Sequence, residues 1–498
     1  MSAPAGVAMR NGERVAEAEI PVLEVDEFHE GVAGAVEAGG RIASLFGVAG
    51  PAGDALELFA VVAGAGGSLA LFRAEVRGNR YPALTHHCPQ AHYFEREIAE
   101  QFGVAVEGHP GLKPVRDLAA WHDGGPEPRA SRFFRVDGEE IHEVGVGPVH
   151  AGVIEPGHFR FQCHGERVLH LEIALGYQHR GVERAALGGP TPRTLIQMET
   201  VAGDTTIGHA TAYAQVCEAL GGVEPPARAE AIRGLGLELE RIANHAGDLG
   251  ALAADVAYLP AAAQLGRLRG DFLNLTAALC GSRFGRGLVR PGGVGFDLEP
   301  DLAGEMRHKL DAAARGVERA LALLWATPSV KTRFEGTGVL HRLQCEELGF
   351  VGPPVRACAV ARDVRRDHPR GVYASAAPPV ALAHDGDVAA RAAVRRLEIE
   401  HSAAFVRDRL EALPAGPLRV ACPSAAPRSV AVALVEGWRG EICHVALTDE
   451  AGRFRRYKIT DPSFHNWFAL ALAMRDGQIS DFPLCNKSFN LSYCGHDL

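Results

Sequence analysis

The feature that most constrains this chain is one unbroken run, PARAEAIRGLGLELERIANHAGDLGALAADVAY, residues 226–258. Its apolar residues recur at spacings of three and four, and no proline follows the first turn. That pattern predicts a long helix with a stripe that must be buried. Asp301 to Leu324 and Asp387 to Leu413 read the same way, the latter with the interleaved Arg and Glu of an exposed face. A fourth stretch, Glu199 to Leu220, opens with the small and polar residues Ala202, Gly203, Asp204 and Thr205. His209 and Tyr213 follow at helical spacing, so they share one face with that first turn. Such elements call for a helical bundle.

The beginning of the chain is patterned differently. Between Ile20 and Val76 lie three short apolar runs, RIASLFGVAG, LELFAVVAGAG and SLALFRAEV, each bounded by Gly, which predicts strands. A helix is expected over Asp26 to Ala38, and another in HYFEREIAEQFG, capped by Gly103. The predicted fold class is α+β. Residues 1–19 read as a flexible lead-in, 20–116 as a small α/β domain, 117–146 as a polar linker rich in Gly and Pro, and 147–498 as a second domain. That second domain opens on Phe159-Arg160-Phe161 and Val168 to Ile173, which alternate as a half-buried hairpin does.

Composition excludes several classes. The 498 residues carry a net charge of −10 and no long Lys/Arg run, which argues against a nucleic-acid surface. No stretch approaches the roughly 18 apolar residues of a spanning helix. The first residues have no apolar signal core. The expectation is a cytoplasmic protein that reaches the membrane only through partners. Ten cysteines are scattered with no Cys-x-x-Cys, so they read as reduced, buried thiols rather than cluster or zinc ligands. His86, His87, Cys88 and His92 invite a metal reading, but no fourth ligand sits at a zinc spacing, and a polar loop is favoured. No Gly-x-Gly-x-x-Gly follows a strand and opens a helix, so NAD is expected on a different subunit.

Tyr93 to Glu97, Phe102-Gly103 and Glu107-Gly108-His109-Pro110 together resemble the signature of the 30-kilodalton subunit of respiratory complex I. Pro156-Gly157-His158, Tyr177 to Glu183, the helical stretch at Glu199 and the tail NLSYCGHDL are similar to the complex I 49-kilodalton subunit and to nickel–iron hydrogenase large subunits. The pattern is nearest to the membrane-bound, energy-converting hydrogenases and formate hydrogenlyases, some of which also fuse the two subunits. The loops Arg290 to Val294, Glu335 to Val339, Gly352 to Arg356 and Asp363 to Pro369 resemble family loops that line a central cavity; by themselves they read as turns.

The resemblance implies four thiolates holding nickel, at positions that here read Ala202, Thr205, Ser492 and Gly495. Nickel in a sulfur-bridged centre needs soft ligands, and none of these side chains is one. Cys494 is a single thiol, inert by default. Hydrogenase large subunits are usually clipped three residues after the last ligand cysteine; this sequence ends at Leu498, three after Gly495, and so leads one to expect no metal-dependent processing. The family's quinone site implies a His, matched by His158 or His150, and a Tyr whose place is taken by Gly203. What remains is a polar cavity floor of Glu155, His158, Asp204, His209, Arg439 and Asp497, either a proton relay or a salt-bridged core. Two functions stay open: an oxidoreductase subunit reducing quinone or another small acceptor, and a non-catalytic coupling subunit. Both imply an iron–sulfur small subunit and membrane ion-pumping subunits as partners.

Overall fold

A computed structural model describes residues 6–50, 55–116, 133–152 and 154–498. The N-terminal sheet contains β1 (Val7–Arg10), β3 (Val22–Leu23), β4 (Arg41–Ala49), β5 (Leu56–Ala63) and β6 (Ser68–Val76), with path order β1-β6-β5-β4 and β3 parallel to β6. The three Gly-bounded runs are strands β4, β5 and β6, with β4 at one end of the path. They are mostly apolar because both faces are largely covered. Leu58, Ala60 and Val62 pack with helices α1 (Val25–Glu37) and α2 (His92–Phe102), while Phe59, Val61 and Ala63 face the other way. Gly103 closes α2 at φ 65°, in the left-handed region that glycine occupies without steric cost. Strands β7 (Arg80–Pro82) and β8 (Ala105–Glu107) flank α2 as a short parallel pair.

The lead-in is not loose over its described part. Met9 and Val15 alternate with exposed neighbours and enter the buried core, so β1 joins the N-terminal sheet and β2 (Arg14–Ala16) joins the C-terminal one. Of the expected linker, 117–132 lies outside the described residues, and Ile141–Val146 forms strand β9 beside the hairpin β10 (His158–His164) and β11 (Arg167–Ala174). Burial of the facing positions of β10, Phe159 and Phe161, is what recruits this third strand.

The short helices α3 (Val182–Ala185) and α4 (Pro192–Met198) lead into α5 (Thr206–Gly221). The long helices α6 (Ala227–Asp255), α7 (Leu259–Cys280), α8 (Pro300–Ala326) and α13 (Val388–Glu411) come after it, and α5 packs on α6. Helix α6 packs on α7 and α13, and α8 closes the ring by packing on both. The strands β12 (Val289–Arg290) and β13 (Gly293–Val294), and the helices α9 (Pro328–Phe334), α10 (Arg342–Glu347), α11 (Pro353–Arg356) and α12 (Val364–Asp367), connect the long elements. Every residue of α5 except its last is buried, which is why its apolar pattern has no polar face.

The C-terminal sheet is β14 (Ser429–Gly437), β15 (Gly440–Thr448) and β16 (Phe454–Thr460), with β2 on its edge. Val430, Val432 and Leu434 of β14 and Cys443, Val445 and Leu447 of β15 pack on Phe59 and Val61 of β5. Ala431, Ala433, Ile442 and Ala446 pack instead on the helical core. Helices α14 (Pro462–Ala473), α15 (Phe482–Phe489) and α16 (Tyr493–Asp497) end the chain. No described helix is long and apolar enough to cross a membrane.

Charge is also buried at the seam between the two sheets. Lys458, 1% exposed, lies 2.7 Å from Glu97 and 3.0 Å from Glu183. Removing one member of a buried ion pair leaves the other charge desolvated. Lys458→Met is therefore expected to lower unfolding free energy by about 3 kcal/mol in chemical denaturation. An unchanged midpoint would show that the seam contributes no stability through this contact.

Candidate active-site cavity

The site begins at the first turn of α5. Thr205 precedes the helix, and the i, i+4 spacing carries Thr205, His209 and Tyr213 onto one face. That face meets β15, whose alternation sends His444 to the same side as Ile442 and Ala446. Tyr457 arrives from β16, where it pairs with Ala446, one diagonal step from His444.

These residues form a continuous buried chain. The Asp461 carboxylate lies 3.1 Å from His209 Nε2, His209 Nδ1 lies 3.1 Å from His444 Nε2, and His444 Nδ1 lies 2.8 Å from the Tyr457 hydroxyl. Burial, then the neighbouring His209, keeps the His444 pKa far below that of a free imidazole, so His444 is neutral. Were His209 neutral as well, the order would be unique: Tyr457 would donate to His444, His444 to His209, and His209 to Asp461. A proton added to His209 turns both its nitrogens into donors and reverses His444. Asp461 also caps α14 by accepting from the Ser463 amide at 2.8 Å. Its burial raises the carboxyl pKa, yet the hydrogen bond and charge of His209 and the charge of Arg439 outweigh this, leaving it below the usual range.

Arg439 adjoins the first turn of α5 and is buried. Its Nη1 and Nη2 donate to the two Asp204 oxygens at 2.6 and 2.8 Å, a bidentate pair, and Nε donates to the Asn490 carbonyl at 2.5 Å. The guanidinium lies over the Trp438 ring, 3.9 Å from its centroid. Trp438 and Asn244 both donate to the Asp204 carbonyl, which fixes the turn. Asp204 is partly exposed and Gly203 is exposed, with open space where a Cβ on Gly203 would project. Burial raises the Asp204 pKa, but the ion pair with Arg439 prevails and holds it low.

The donor positions implied for nickel do not suit a thiolate-held metal. Thr205 Oγ1 donates to Asp204 at 3.2 Å and accepts from Arg439 at 3.3 Å. Ser492 Oγ caps the last helix by accepting from the Gly495 amide at 2.9 Å. A Cβ on Gly495 would sit 2.7 Å from the Asp461 carboxylate, closer than real side chains approach. A cysteine there would require Asp461 to move. Cys494 lies 3.4 Å from Ser492 Oγ and also contacts Glu155; burial, then Glu155, lifts its thiol to about 11, so it is protonated near neutrality. No three His, Cys, Asp or Glu side chains among the described residues converge as metal ligands would.

The remaining expected residues divide. His158 Nδ1 lies 3.1 Å from the Gly147 carbonyl, and His150 Nε2 lies 2.9 Å from that of Gly157. Asp497 uses its oxygens on the amides of Gly176 and Gln178 and on His496, not on Arg439. In the His86–His92 segment, His86 and His87 are exposed, Cys88 is buried with its thiol raised to about 12, and His92 is held down to about 3 by burial, then Arg96. They do not converge.

Asp461, His444 and Tyr457 were not singled out from sequence. Asp461-Pro462 is a helix-start signal, and His444 is a lone imidazole in a buried strand; both were legible only as structure. Glu240 was missed as well. It accepts from the Ile207 and Gly208 amides at 2.8 and 3.2 Å, holding the first turn of α5.

The family models for the respiratory-chain NADH dehydrogenase 30 Kd and 49 Kd subunits match residues 40–126 and 255–430. The chain is 30% identical to formate hydrogenlyase subunit 5 of Escherichia coli, over 84% of this chain and 78% of that protein. It belongs to the fused large-subunit family of energy-converting nickel–iron hydrogenases, related to complex I. A second relative in this family, the carbon monoxide-induced hydrogenase of Rhodospirillum rubrum, is 31% identical over 70% of this chain and 97% of its own length. Among solved structures, a chain of the membrane-bound sulfane sulfur reductase, an archaeal respiratory membrane complex, superposes with a TM-score of 0.68 at 25% identity. That match covers 73% of the present chain and all of the other.

Burial lifts the Glu240 carboxyl from 4.5 to about 8, despite its two amide donors. A carboxyl raised on folding stabilises fully below its unfolded pKa, and that contribution is lost as pH climbs through the folded value. Glu240→Gln should therefore gain stability relative to wild type as pH rises from about 4.5 to about 8. Urea midpoints of the two proteins across that window check this; a constant difference would remove Glu240 as the responsible group.

Proposed function

We propose that this chain is a subunit of a membrane-associated oxidoreductase complex and holds no nickel–iron centre of its own. In this reading it couples electron transfer, to quinone or another small acceptor, to ion translocation by partner subunits. Electrons would come from an iron–sulfur small subunit, and the chain would lie on the cytoplasmic face, held to the membrane through its partners. The observation that carries the reading is the state of the four donor positions. None offers a thiolate, and the tightest, Gly495, is packed against Asp461. Polar chemistry at the same place is nevertheless retained, in the Asp204–Arg439 pair and the chain from Asp461 to Tyr457.

In this role Asp204 and Arg439 would orient a polar acceptor beside Gly203. A proton arriving at His209 would be stored by reversing His444 toward Tyr457. A purely coupling role, without chemistry in this chain, is the second reading. It is favoured by one feature: both oxygens of Asp204 and all three nitrogens of Arg439 already have protein partners.

The deciding experiment is metal analysis of the purified complex together with a hydrogen-uptake assay. Substoichiometric nickel and no hydrogen turnover are expected. One nickel per chain with turnover would overturn the proposal. In the same complex, Arg439→Met should slow acceptor reduction by about 10²-fold if the group stabilises charge on the acceptor. Unchanged acceptor reduction with impaired ion pumping would favour the coupling role.

A further inference from the structure

A cleft of about 520 Å³ lies where the ends of β4 and β5 meet residues 360–368. Neither Asp204 nor Arg439 lines it. Its walls carry acids and bases in pairs, with one exception. Arg41 pairs with Glu441, Asp367 with Arg366 at 2.5 Å, and Glu346 with Arg342 at 2.9 Å. Arg362 donates to the Phe350 carbonyl at 2.6 Å. Among the described residues, no carboxylate lies within ion-pair distance of its guanidinium.

A guanidinium with no carboxylate in direct contact is costly in a partly closed cleft, although the charges of Glu441 and Asp367 offset part of that cost from farther away. Burial, then the charge of Arg41, draws the Arg362 pKa down to about 10. The neighbouring imidazoles add no charge. His465 is kept neutral by burial, then by Arg41 and Arg362; His368 is lowered chiefly by burial. His368 bonds to the Gly67 backbone and leaves Nδ1 without a partner, while Oε1 of Glu441 is also unpartnered. Each of these two side chains is more than nine-tenths buried. The rim is bare backbone. Gly39 and Gly66 have φ of 93° and 73°, and a Cβ on either would meet nothing within 4 Å. A ligand can therefore approach the main chain closely.

We propose that this cleft binds a small molecule bearing a phosphate or carboxylate, gripped by Nε and Nη2 of Arg362, the nitrogens that do not serve the Phe350 carbonyl. A planar guanidinium matches either oxyanion in a bidentate manner. His368 Nδ1 supplies an acceptor for a hydroxyl on the same ligand.

Calorimetric titration of the full chain with inorganic phosphate, and separately with succinate, tests the site. Saturable binding of phosphate alone identifies a phosphate ligand; saturation by succinate alone identifies a carboxylate. Arg362→Gln is expected to weaken the binding at least about tenfold. No saturation by either anion, or equal affinity in the variant, would overturn the proposal. A second measurement needs no variant. Phenylglyoxal labelling of Arg362 in the wild-type protein, read by mass spectrometry, should be slowed by whichever anion binds. Labelling that neither anion slows rejects the site. Failure of Arg362 to label in the assembled complex before any anion is added means that a partner subunit fills the cleft, which equally rejects it.

Discussion

The candidate site is anchored by one interaction, the docking of the last residues against two loops far away in sequence. The Leu498 carbonyl accepts from the amides of Arg180 and Gly181 at 2.7 and 3.0 Å, and the Asp497 carboxylate accepts from Gly176 and Gln178. Arg180 then donates to the carbonyls of Thr200, Val201 and Cys494. A single side chain thus ties the entry to α5 to the tail. Ser492 and Gly495 belong to the tail that this clamp holds, and Gly495 packs closely on Asp461.

Behind the cavity, the two sheets share a core, and that sharing orients the polar chain. Each central strand is buried on both sides, so a polar residue in it must find its hydrogen bonds inside the protein. His444 finds them in His209 and Tyr457. Farther back, Glu398 takes Arg356, Arg241 and His245 at 2.6, 3.3 and 2.7 Å. Such networks stabilise little over an apolar core but are strongly disrupted when one partner is removed. They hold one geometry across helices that carry no local reason to keep it.

Much of the architecture was legible in the sequence. The long helices at 227–255, 300–326 and 388–411 follow from apolar spacing, and the N-terminal strands follow from Gly-bounded runs. The lead-in misled because β1 and β2 are short and gain their order only from distant sheets. The candidate site was legible only in part. Asp204, His209 and Arg439 stood out through their place in motifs. Asp204 and Arg439 pair with each other, and the partners of His209, namely Asp461 and His444, come from segments far from the start of α5, beyond the reach of local pattern.

By itself, the sequence determined the periodicity of each element, the lack of thiols at four positions and the charge that must be compensated somewhere. These are properties of single side chains and of neighbours within a turn or two. Only the tertiary structure decided which charges meet. It joined Asp204 to Arg439, set His444 against His209, turned Asp497 away to cap a loop, and left Arg362 without a carboxylate. Such pairings depend on how sheets and helices stack, and burial makes each one costly to leave unmade.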